Sequence, residues 1–141
     1  MTPGYWKLNR LIEKLNLSKH CKLVSYSHQQ LQEVMRCGDY YISLTTTDGT
    51  PISILEAMAN GVIPIMSNLR CHKEWIKHLE NGFLLDISTA EEVTKGLMLS
   101  LKHNQKASLF AEKNFELLKE RADWYKIMPE MEKFYNFIYE R

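Results

Sequence analysis

Two acidic residues, Asp48 and Glu56, stand in the stretch "TTTDGTPISILEAMANGVIPI", which runs from Thr45 to Ile65. Asp48 lies on a threonine-rich turn, and Glu56 follows with seven residues between them, in a run that is predicted to be helical. Carboxylates can transfer protons, or they can accept hydrogen bonds from hydroxyl groups. The distance between the two acids decides which of these tasks they can share.

The predicted distance excludes one familiar pair of acids. Five helical steps, from residue 51 to residue 56, rise ~7.5 Å and place the two carboxylates on the order of 10 Å apart. That separation is wider than the pair of a retaining glycosidase and loose even for an inverting one. It suits the two hydroxyl-rich ends of one long ligand with a phosphate site between them. A sugar nucleotide, with its sugar, pyrophosphate and ribose, has this shape.

The turn between the acids has the features of a phosphate site. Thr50 is predicted to cap the helix and Pro51 to occupy its first position, which defines the helix start sharply. The helix N-terminus then offers backbone N–H groups and a partial positive charge to an anion. Gly49 allows the backbone to approach a bulky phosphate closely. The turn has neither a Walker-type lysine nor a G-x-G-x-x-G spacing, so neither common nucleotide fingerprint applies.

Glu56 borders the apolar face of its predicted helix. At about 100° per residue it lies about 40° from Ile52, at the edge of a stripe that also contains Leu55 and Ala59. A carboxylate in such a position needs a hydrogen-bonding partner or partial exposure to water. The pattern fits a ligand-binding glutamate and an ordinary surface glutamate equally well.

The elements around this stretch alternate between strands and helices. Apolar runs predict strands near residues 21–26, 39–44, 62–66 and 83–86, and helical periodicity predicts helices near residues 5–16, 28–38, 51–60 and 71–82. This alternation is typical of a parallel α/β sheet with helices on both faces, in which ligands bind at the carboxyl ends of the strands. A capping box at residues 88–91 opens a helical region from about residue 88, with helices near residues 89–101, 105–120 and 123–139. The chain is predicted to be a single domain, residues 1–141.

Composition narrows the class of protein. The 141 residues are 45% hydrophobic and carry a formal net charge of +1, which gives no reason to expect binding to nucleic acid. The chain shows neither a signal peptide nor the ~20 apolar residues that span a bilayer, and three widely spaced cysteines indicate reduced thiols. The five histidines show no metal-ligand spacing, so each is expected to be a surface or packed residue. We therefore expect a soluble, cytoplasmic protein that works without a metal.

The central block resembles the signature of a known enzyme family. "DGTPISILEAMANGVIPIMSN" is similar to the motif of retaining GT-B glycosyltransferases of the family-four type (glycosyl transferases group 1), an acid and a glycine followed by LEAMA-x-G-x-P-x-x-x-S. The likeness continues through "EWI" and "NGFLLD", and it covers nearly the whole chain. It implies a Rossmann-like parallel sheet with flanking helices, the nucleotide-sugar-binding C-terminal half of a GT-B fold.

The resemblance also assigns roles to residues. Asp48 and Glu56 match the family's two catalytic-site acids, which are separated by seven residues. The first would contact hydroxyls of the donor sugar, and the second would bind the ribose hydroxyls. The pyrophosphate would bind where the helix starts, at the backbone of Gly49, Thr50, Pro51 and Ile52. The first acid is Asp rather than the usual Glu, and its side chain is shorter in reach.

Three further residues are assigned to the donor site from the same resemblance. Ser25 and Tyr26 follow the first predicted strand, where family members contact the nucleotide base. A packed or half-exposed aromatic is the alternative for Tyr26. Arg70 lies in "NLRCHKEWI", which replaces the family's usual glycine pair. It would help to hold the donor phosphates, or it would be an ordinary exposed arginine.

Two features that the resemblance leads one to expect are missing from this sequence. Members carry an N-terminal Rossmann domain that binds the acceptor and an Arg/Lys pair that grips the donor phosphates, and neither is found in this sequence. The domain would lack its first two strands, which belong in the middle of a sheet ordered 3-2-1-4-5-6, so sheet edges would be exposed. The last helix carries an apolar stripe that would pack on its own domain or stay exposed. We expect a partial domain that is inactive alone, and that belongs to a larger protein or forms a homo-oligomer through its sheet edge or last helix.

The reaction that the resemblance implies is transfer of a sugar, with retention, from a nucleotide-sugar substrate to a glycan or lipid-linked acceptor. The family uses neither a metal nor a cofactor; the leaving phosphate would take the acceptor proton, and positioned N–H groups and cations would stabilise its charge. Polysaccharide or lipopolysaccharide synthesis would place a full-length protein in the cytoplasm, peripheral to a membrane. Two alternatives stay open. One is a non-catalytic nucleotide-sugar-binding or assembly module, and the other is a GT-B-fold sugar-nucleotide epimerase, which would need an acid or base pair across the cleft.

Overall fold

The structure is a computed structural model that describes residues 3–49 and 51–140. The chain divides into two compact units, residues 1–31 and residues 32–141. The first unit holds one helix and the start of another, and the second holds the sheet and the remaining helices. The helices are α1 (Pro3–Lys14), α2 (His28–Met35), α3 (Ile52–Ala59), α4 (Arg70–Lys73), α5 (Ala90–Lys102), α6 (Ala107–Arg121) and α7 (Trp124–Tyr139). The strands are β1 (Tyr40–Ser43), β2 (Ile63–Ser67) and β3 (Phe83–Leu85), and a short 3-10 helix (Asn104–Lys106) joins α5 to α6.

The three strands form a parallel sheet in the order β1–β2–β3. The register pairs Tyr40 with Ile63, and Ile65 with Phe83. Parallel neighbours point their carboxyl ends in the same direction, so the loops after β1 and β2 meet at one edge of the sheet. The predicted parallel α/β class is confirmed, and this edge is where such a sheet places a site.

The central strand, β2, is buried on both faces. Ile63 and Ile65 belong to one apolar cluster, and Met66 belongs to another. The first cluster also contains Phe83, Leu85 and Phe110, and the second contains Ile54, Met58, Ile76 and Leu118. Full burial of one such side chain contributes roughly 1.5–3 kcal/mol. The apolar face of α3 is therefore anchored on the sheet, and the loop before this helix is fixed at both ends.

The segment 21–26, predicted as a strand, is not one. Residues 21–27 adopt no regular structure, and Val24 is 58% exposed. A strand exists only through hydrogen bonds to a neighbouring strand. Across residues 3–49 and 51–140, the ladders join only β1, β2 and β3. The segment therefore has β-type composition but no ladder partner in the described chain.

The helix predicted near residues 71–82 is also wrong, because α4 ends at Lys73. The side chain of Asn81, which is only 6% exposed, replaces the hydrogen bonds of a helix. Its Oδ1 accepts from the Lys77 N–H at 2.7 Å, and its Nδ2 donates to the Trp75 carbonyl at 2.9 Å. Leu79 has a left-handed backbone, with φ of 65°, which a right-handed helix cannot contain.

Two helix starts differ from the predicted positions. Pro51 is the N-cap of α3, with φ −82° and ψ 83°, rather than its first helical residue. Thr50, the predicted cap, lies outside the described residues. The cap of α5 is Thr89, whose hydroxyl accepts from the Glu92 N–H at 3.2 Å. The capping box predicted at 88–91 therefore begins one residue too early.

Two helices leave large apolar side chains exposed. On α1, Trp6, Leu8 and Leu11 are each at least half exposed. On α7 every side chain is exposed or half-buried, and Trp124 and Phe134 are more than half exposed. Of the two alternatives for the apolar stripe of α7, packing on its own unit and exposure, the structure therefore shows exposure. Association of two chains through this helix or the sheet edge stays a prediction.

Some kinds of segment and site are not found in the described chain. Its helices include none that is long and apolar enough to cross a membrane. Among residues 3–49 and 51–140, no three His, Cys, Asp or Glu side chains gather so that they could hold a metal ion. Cys21, Cys37 and Cys71 are free thiols.

Candidate functional site

A groove opens between the loop after β1 and the segment after β2. It encloses about 370 Å³. Parallel topology brings its two sides together, because Asp48 and Arg70 follow adjacent strands although they are far apart in sequence. These two predicted site residues therefore line one groove. Among the described residues, the wall is formed by Thr46, Thr47, Asp48, Leu69, Arg70, Cys71 and Glu74.

Asp48 is held at both of its carboxylate oxygens. Oδ1 accepts a hydrogen bond from the Gly49 N–H at 2.8 Å. Oδ2 lies 3.4 Å from Nε2 of His72. The Asp48 side chain is 31% exposed, and each carboxylate oxygen can accept more than one hydrogen bond. Asp48 can therefore accept further hydrogen bonds from a ligand in the groove.

The end of β2 holds the loop that carries Asp48. Ser67 is fully buried, and its hydroxyl donates to the Thr45 carbonyl at 2.6 Å. Its carbonyl accepts from the Leu69 N–H at 2.8 Å and contacts Nδ1 of His72 at 2.7 Å. This one residue links the loops that follow both strands, which explains why a small hydroxyl residue ends an otherwise apolar strand.

Glu56 lies on α3, a helix that is fixed to β1 and to the core. The Tyr41 hydroxyl donates to Ser53 Oγ at 2.9 Å, and Ile54 is fully buried beneath the helix. The Glu56 side chain is half-buried. The apolar stripe predicted beside it does not face the core, because Ile52 is 68% exposed and the buried residues of α3 are Ile54, Ala57 and Met58. Its contact with a ribose stays a prediction. Glu56 borders a second groove of about 380 Å³, whose wall is formed by Ile52, Leu55, Glu56, Ala59, Phe115, Leu118, Lys119, Ala122 and Asp123.

The other predicted donor-site residues have varied surroundings. Gly49 is exposed, and a Cβ at this position would meet no described atom within 4 Å, so packing alone does not require glycine there. Pro51 is buried, whereas Ile52 is 68% exposed where α3 starts. Ser25 and Tyr26 belong to the first unit, and both are exposed. Tyr26, at 44% exposure, fits the half-exposed alternative, and contact of either residue with a base stays a prediction.

His72 is the residue of this region that the sequence did not connect to Asp48. It is packed, at 0% exposure, yet its ring contacts the carboxylate of the candidate site. The strand order contains a signal that could have found it. Asp48 lies five residues beyond the end of β1, and His72 lies five residues beyond the end of β2. Adjacent parallel strands bring residues at equal offsets to the same edge of the sheet.

A larger groove, of about 810 Å³, runs along β3 and α5 and contains titratable groups with shifted pKa values. Burial, and after it the nearby His103, lower the pKa of His78. Hydrogen bonds from the Ser88 N–H and hydroxyl hold the pKa of Asp86 below its usual value. In the part of the chain that the structure describes, none of the predicted site residues lines this groove. Size alone therefore does not identify the site.

The groove of about 370 Å³ that Asp48 and Arg70 line offers the groups that a phosphorylated sugar requires. Asp48 and Glu74 present carboxylate oxygens, and the hydroxyls of Thr46 and Thr47 can donate or accept hydrogen bonds. Arg70 is an exposed cation on the same wall, and a guanidinium can pair with a phosphate. Such a set can bind a ligand that is rich in hydroxyl groups and also carries negative charge.

Comparison with known sequences identifies relatives that are glycosyltransferases. The family described as glycosyl transferases group 1 matches residues 3–127. The UDP-Gal:alpha-D-GlcNAc-diphosphoundecaprenol alpha-1,3-galactosyltransferase of Escherichia coli is 24% identical over 84 residues, which are 60% of this chain and 21% of that protein. An uncharacterized glycosyltransferase of Haemophilus influenzae is 38% identical over 66 residues, which are 45% of this chain and 18% of that protein.

Solved structures share the fold. Sucrose-phosphate synthase from Thermosynechococcus elongatus matches with a TM-score of 0.83 at 18% identity, over 95% of this chain and 34% of that one. Anabaena Alr3699/HepE in complex with UDP and glucose matches with a TM-score of 0.83 at 20% identity, over 94% of this chain and 36% of that one. The C-terminal domain of LpcC from Francisella tularensis matches with a TM-score of 0.72 at 18% identity, over 87% of this chain and 66% of that one.

These comparisons cover different shares of the proteins involved. The chain spans about a fifth of the length of the curated relatives and about a third of the first two solved structures. Its three-stranded parallel sheet with flanking helices matches the C-terminal domains of GT-B glycosyltransferases. Since the family match extends over residues 3–127, the chain belongs to the glycosyl transferases group 1 family, of the GT-B type.

Proposed function

We propose that the chain is the donor-binding part of a glycosyltransferase that moves a sugar from a nucleoside diphosphate to a glycan or lipid-linked acceptor with retention at the anomeric carbon. The observation that carries this proposal is the groove that Asp48 and Arg70 line together at the carboxyl edge of the sheet. An acceptor for sugar hydroxyls and a cation for phosphate share its wall. Membership of the family supports glycosyl transfer as the reaction class.

The donor is proposed to lie along the loop after β1. Its sugar would contact Asp48, and its ribose would contact Glu56. The diphosphate would lie between them, near Gly49 and the N-terminus of α3, where the first N–H groups of a helix have no intrahelical acceptor. Arg70 would pair with the phosphate oxygens. This arrangement uses both acids and also Gly49, whose glycine the packing of the described chain does not require.

The transfer is proposed to depend on orientation and charge stabilisation, without a protein nucleophile. The acceptor hydroxyl oxygen bonds to the anomeric carbon while the bond from that carbon to the phosphate oxygen breaks. The leaving nucleoside diphosphate keeps the electron pair, and its phosphate oxygen takes the acceptor proton on the same face of the sugar. Arg70 and the N-terminus of α3 would stabilise the charge that develops on the leaving group.

Calorimetric titration of the purified chain tests the donor assignment. The ligands are UDP, GDP and ADP, each with and without a common sugar attached. We expect one nucleotide to bind saturably and Glu56→Ala to weaken both of its forms. Asp48→Ala should weaken only the sugar nucleotide. Loss of a hydrogen bond to a charged group costs about 1.5–3 kcal/mol, which lowers affinity by a factor of roughly 10–150.

The matched control is Glu112→Ala, which removes an exposed glutamate of α6 and should bind like the wild type. If a folded, monodisperse chain binds none of these nucleotides, the donor assignment is contradicted and a non-catalytic assembly module is favoured. If the chain interconverts sugar nucleotides without an acceptor, it is an epimerase instead.

A further inference from the structure

The His72 side chain contacts Asp48 and is itself fully shielded from solvent, at 0% exposure. Its Nδ1 is 2.7 Å from the Ser67 carbonyl oxygen, and its Nε2 is 3.4 Å from Asp48 Oδ2. The imidazole therefore connects the buried end of β2 to a side chain on the groove wall. The hydrogen-bond acceptors around such a buried ring restrict which of its two nitrogens can carry a hydrogen.

The oxygens near Nδ1 determine where the ring carries its hydrogen. The Ser67 carbonyl can only accept a hydrogen bond. The Ser67 hydroxyl, 3.4 Å from Nδ1, donates its own hydrogen to the Thr45 carbonyl at 2.6 Å, so it can also only accept. Nδ1 therefore carries a hydrogen, which in a neutral histidine leaves a lone pair on Nε2. That lone pair would face the lone pairs of the Asp48 carboxylate, and the contact would be repulsive.

We propose that His72 is a positioning residue for Asp48 and that it acts as an imidazolium, which donates from Nδ1 to Ser67 and from Nε2 to Asp48. Burial alone disfavours a charged ring, and the facing carboxylate opposes that penalty. The Nε2 edge meets the charge of Asp48, whereas the Nδ1 edge meets the uncharged oxygens of Ser67. The 3.4 Å contact is longer than the usual charge-assisted bond of about 2.7–2.9 Å. Contacts of this kind shorten when a ligand completes the site.

This role explains how Asp48 is prepared for a ligand. The Gly49 N–H holds Oδ1 at 2.8 Å, and His72 holds Oδ2. With both oxygens held, the side chain keeps one rotamer, and its remaining lone pairs stay available to the groove before the ligand arrives. The inference rests on the proposed function for its ligand, because it takes Asp48 to contact the sugar of the donor.

Two substitutions separate positioning from a purely structural role. Asparagine places its amide near Nδ1 and keeps the bond to Ser67, whereas glutamine reaches the position of Nε2 and can donate to Asp48. His72→Asn should therefore fold like the wild type but bind like Asp48→Ala. The ratio of the diphosphate to the sugar-nucleotide dissociation constant should fall roughly ten-fold. In His72→Gln the ratio should stay close to the wild-type value, even if the melting temperature of this variant is lower.

The matched control for these variants is His103→Asn. Nδ1 of His103 also bonds to a backbone carbonyl, that of Leu99 at 2.9 Å, but His103 does not line the groove among the residues described for it. This control should leave the ratio unchanged. If Asp48→Ala lowers the ratio and His72→Asn does not, the positioning role is overturned while the proposed function stands.

A measurement without ligand distinguishes the two kinds of failure. ¹⁵N NMR reports whether each ring nitrogen carries a hydrogen. We expect each of the two His72 ring nitrogens to carry a hydrogen in the wild type. In Asp48→Asn we expect Nε2 to lose its hydrogen and accept one from the new amide. A bare Nε2 in the wild type, or a bare Nδ1 in either protein, overturns the positioning role whether or not nucleotides bind. If the NMR pattern is as expected and no nucleotide binds, the positioning role is supported and the donor assignment is contradicted.

Discussion

Replacement of Gly82 by alanine should lower the melting temperature of the chain, because the structure has no room for a Cβ at this position. That atom would lie 2.8 Å from the Pro64 carbonyl oxygen, 2.9 Å from Pro64 Cγ and 3.0 Å from Ile76 Cγ2. Relaxed contacts between such atoms are about 3.3–4.0 Å. Pro64 belongs to the buried central strand, and Ile76 is 1% exposed. Neither can move away without disturbing the core.

The expected magnitude follows from two opposing effects. Overpacking a filled core costs about 1–3 kcal/mol, and a clash with a backbone oxygen belongs in the upper half of that range. Alanine also reduces the entropy of the unfolded chain, which offsets about 0.4–1 kcal/mol. The net loss in the free energy of unfolding is roughly 1–2.5 kcal/mol. For a chain of this length, that loss corresponds to a fall in melting temperature of about 3–10 °C.

Thermal and urea unfolding, followed by circular dichroism, measure this change, and Gly38→Ala is the matched control. Gly38 lies in the same unit, and a Cβ there would meet the Met35 carbonyl oxygen at an ordinary 3.5 Å. The control should be neutral or slightly stabilised. An unchanged melting temperature in Gly82→Ala, beside a neutral control, would refute the packing argument. A fall in both variants would place the cause in the backbone freedom of glycine.

Three further predictions concern pH, a buried amide and a helix-interior proline. Burial, and then His103, lower the folded-state pKa of His78 below its ordinary 6.5, and its Nδ1 accepts from the Leu84 N–H at 3.1 Å only when unprotonated. The unfolded chain therefore binds the proton more readily than the folded chain does. The stabilisation from unprotonated His78 is present above about pH 6.5 and is lost as the pH falls below that value. In thermal melts, His78→Asn should therefore lose less stability on acidification than the wild type. Asn81→Ala removes both side-chain bonds and should cost about 2–4 kcal/mol, seen as a lower urea midpoint with an unchanged slope. Pro129→Ala restores an N–H inside α7, favours the helix by up to about 3 kcal/mol and should raise the helical circular dichroism signal.

Each of these predictions has an outcome that contradicts it. If His78→Asn loses as much stability on acidification as the wild type, the loss belongs to other groups. An unchanged urea midpoint in Asn81→Ala would mean that water replaces the amide at no cost. Pro129→Ala with unaltered helical signal and hydrogen exchange would show that the proline does not limit the stability of α7.

Elements that depend on local patterns were predictable from the sequence. β1, β2 and β3 follow apolar runs bounded by turn residues, and their boundaries lie within one or two residues of the predicted ones. α3 was expected between two strands, but the face that it buries is not the predicted stripe: Ile54 and Met58 lie in the core, whereas Ile52 is 68% exposed. Asp48 and Glu56 were singled out by their types and spacing, which a family motif records in one continuous segment.

Features that depend on partners distant in the sequence were not predictable. Residues 21–26 have the composition of a strand, but a strand also needs a ladder partner, which composition does not reveal. The helix predicted near residues 71–82 is interrupted because the Asn81 side chain bonds back to the Trp75 carbonyl, a contact that the local pattern does not reveal. His72 meets Asp48 only because β1 and β2 are parallel neighbours. Strand order, rather than local pattern, was the missing information.

The segment between β2 and β3 is pinned by two buried side chains, His72 and Asn81, rather than by a continuous helix. Substitutions of exposed residues away from such anchors usually change the free energy of unfolding by no more than about 0.5 kcal/mol. The groove wall can therefore diverge in evolution, or be randomised in a directed-evolution library, while the scaffold persists. New ligand preferences can be selected in this segment with little loss of foldability. The wall positions open to such change are Arg70, Cys71 and Glu74, which are exposed or half-buried.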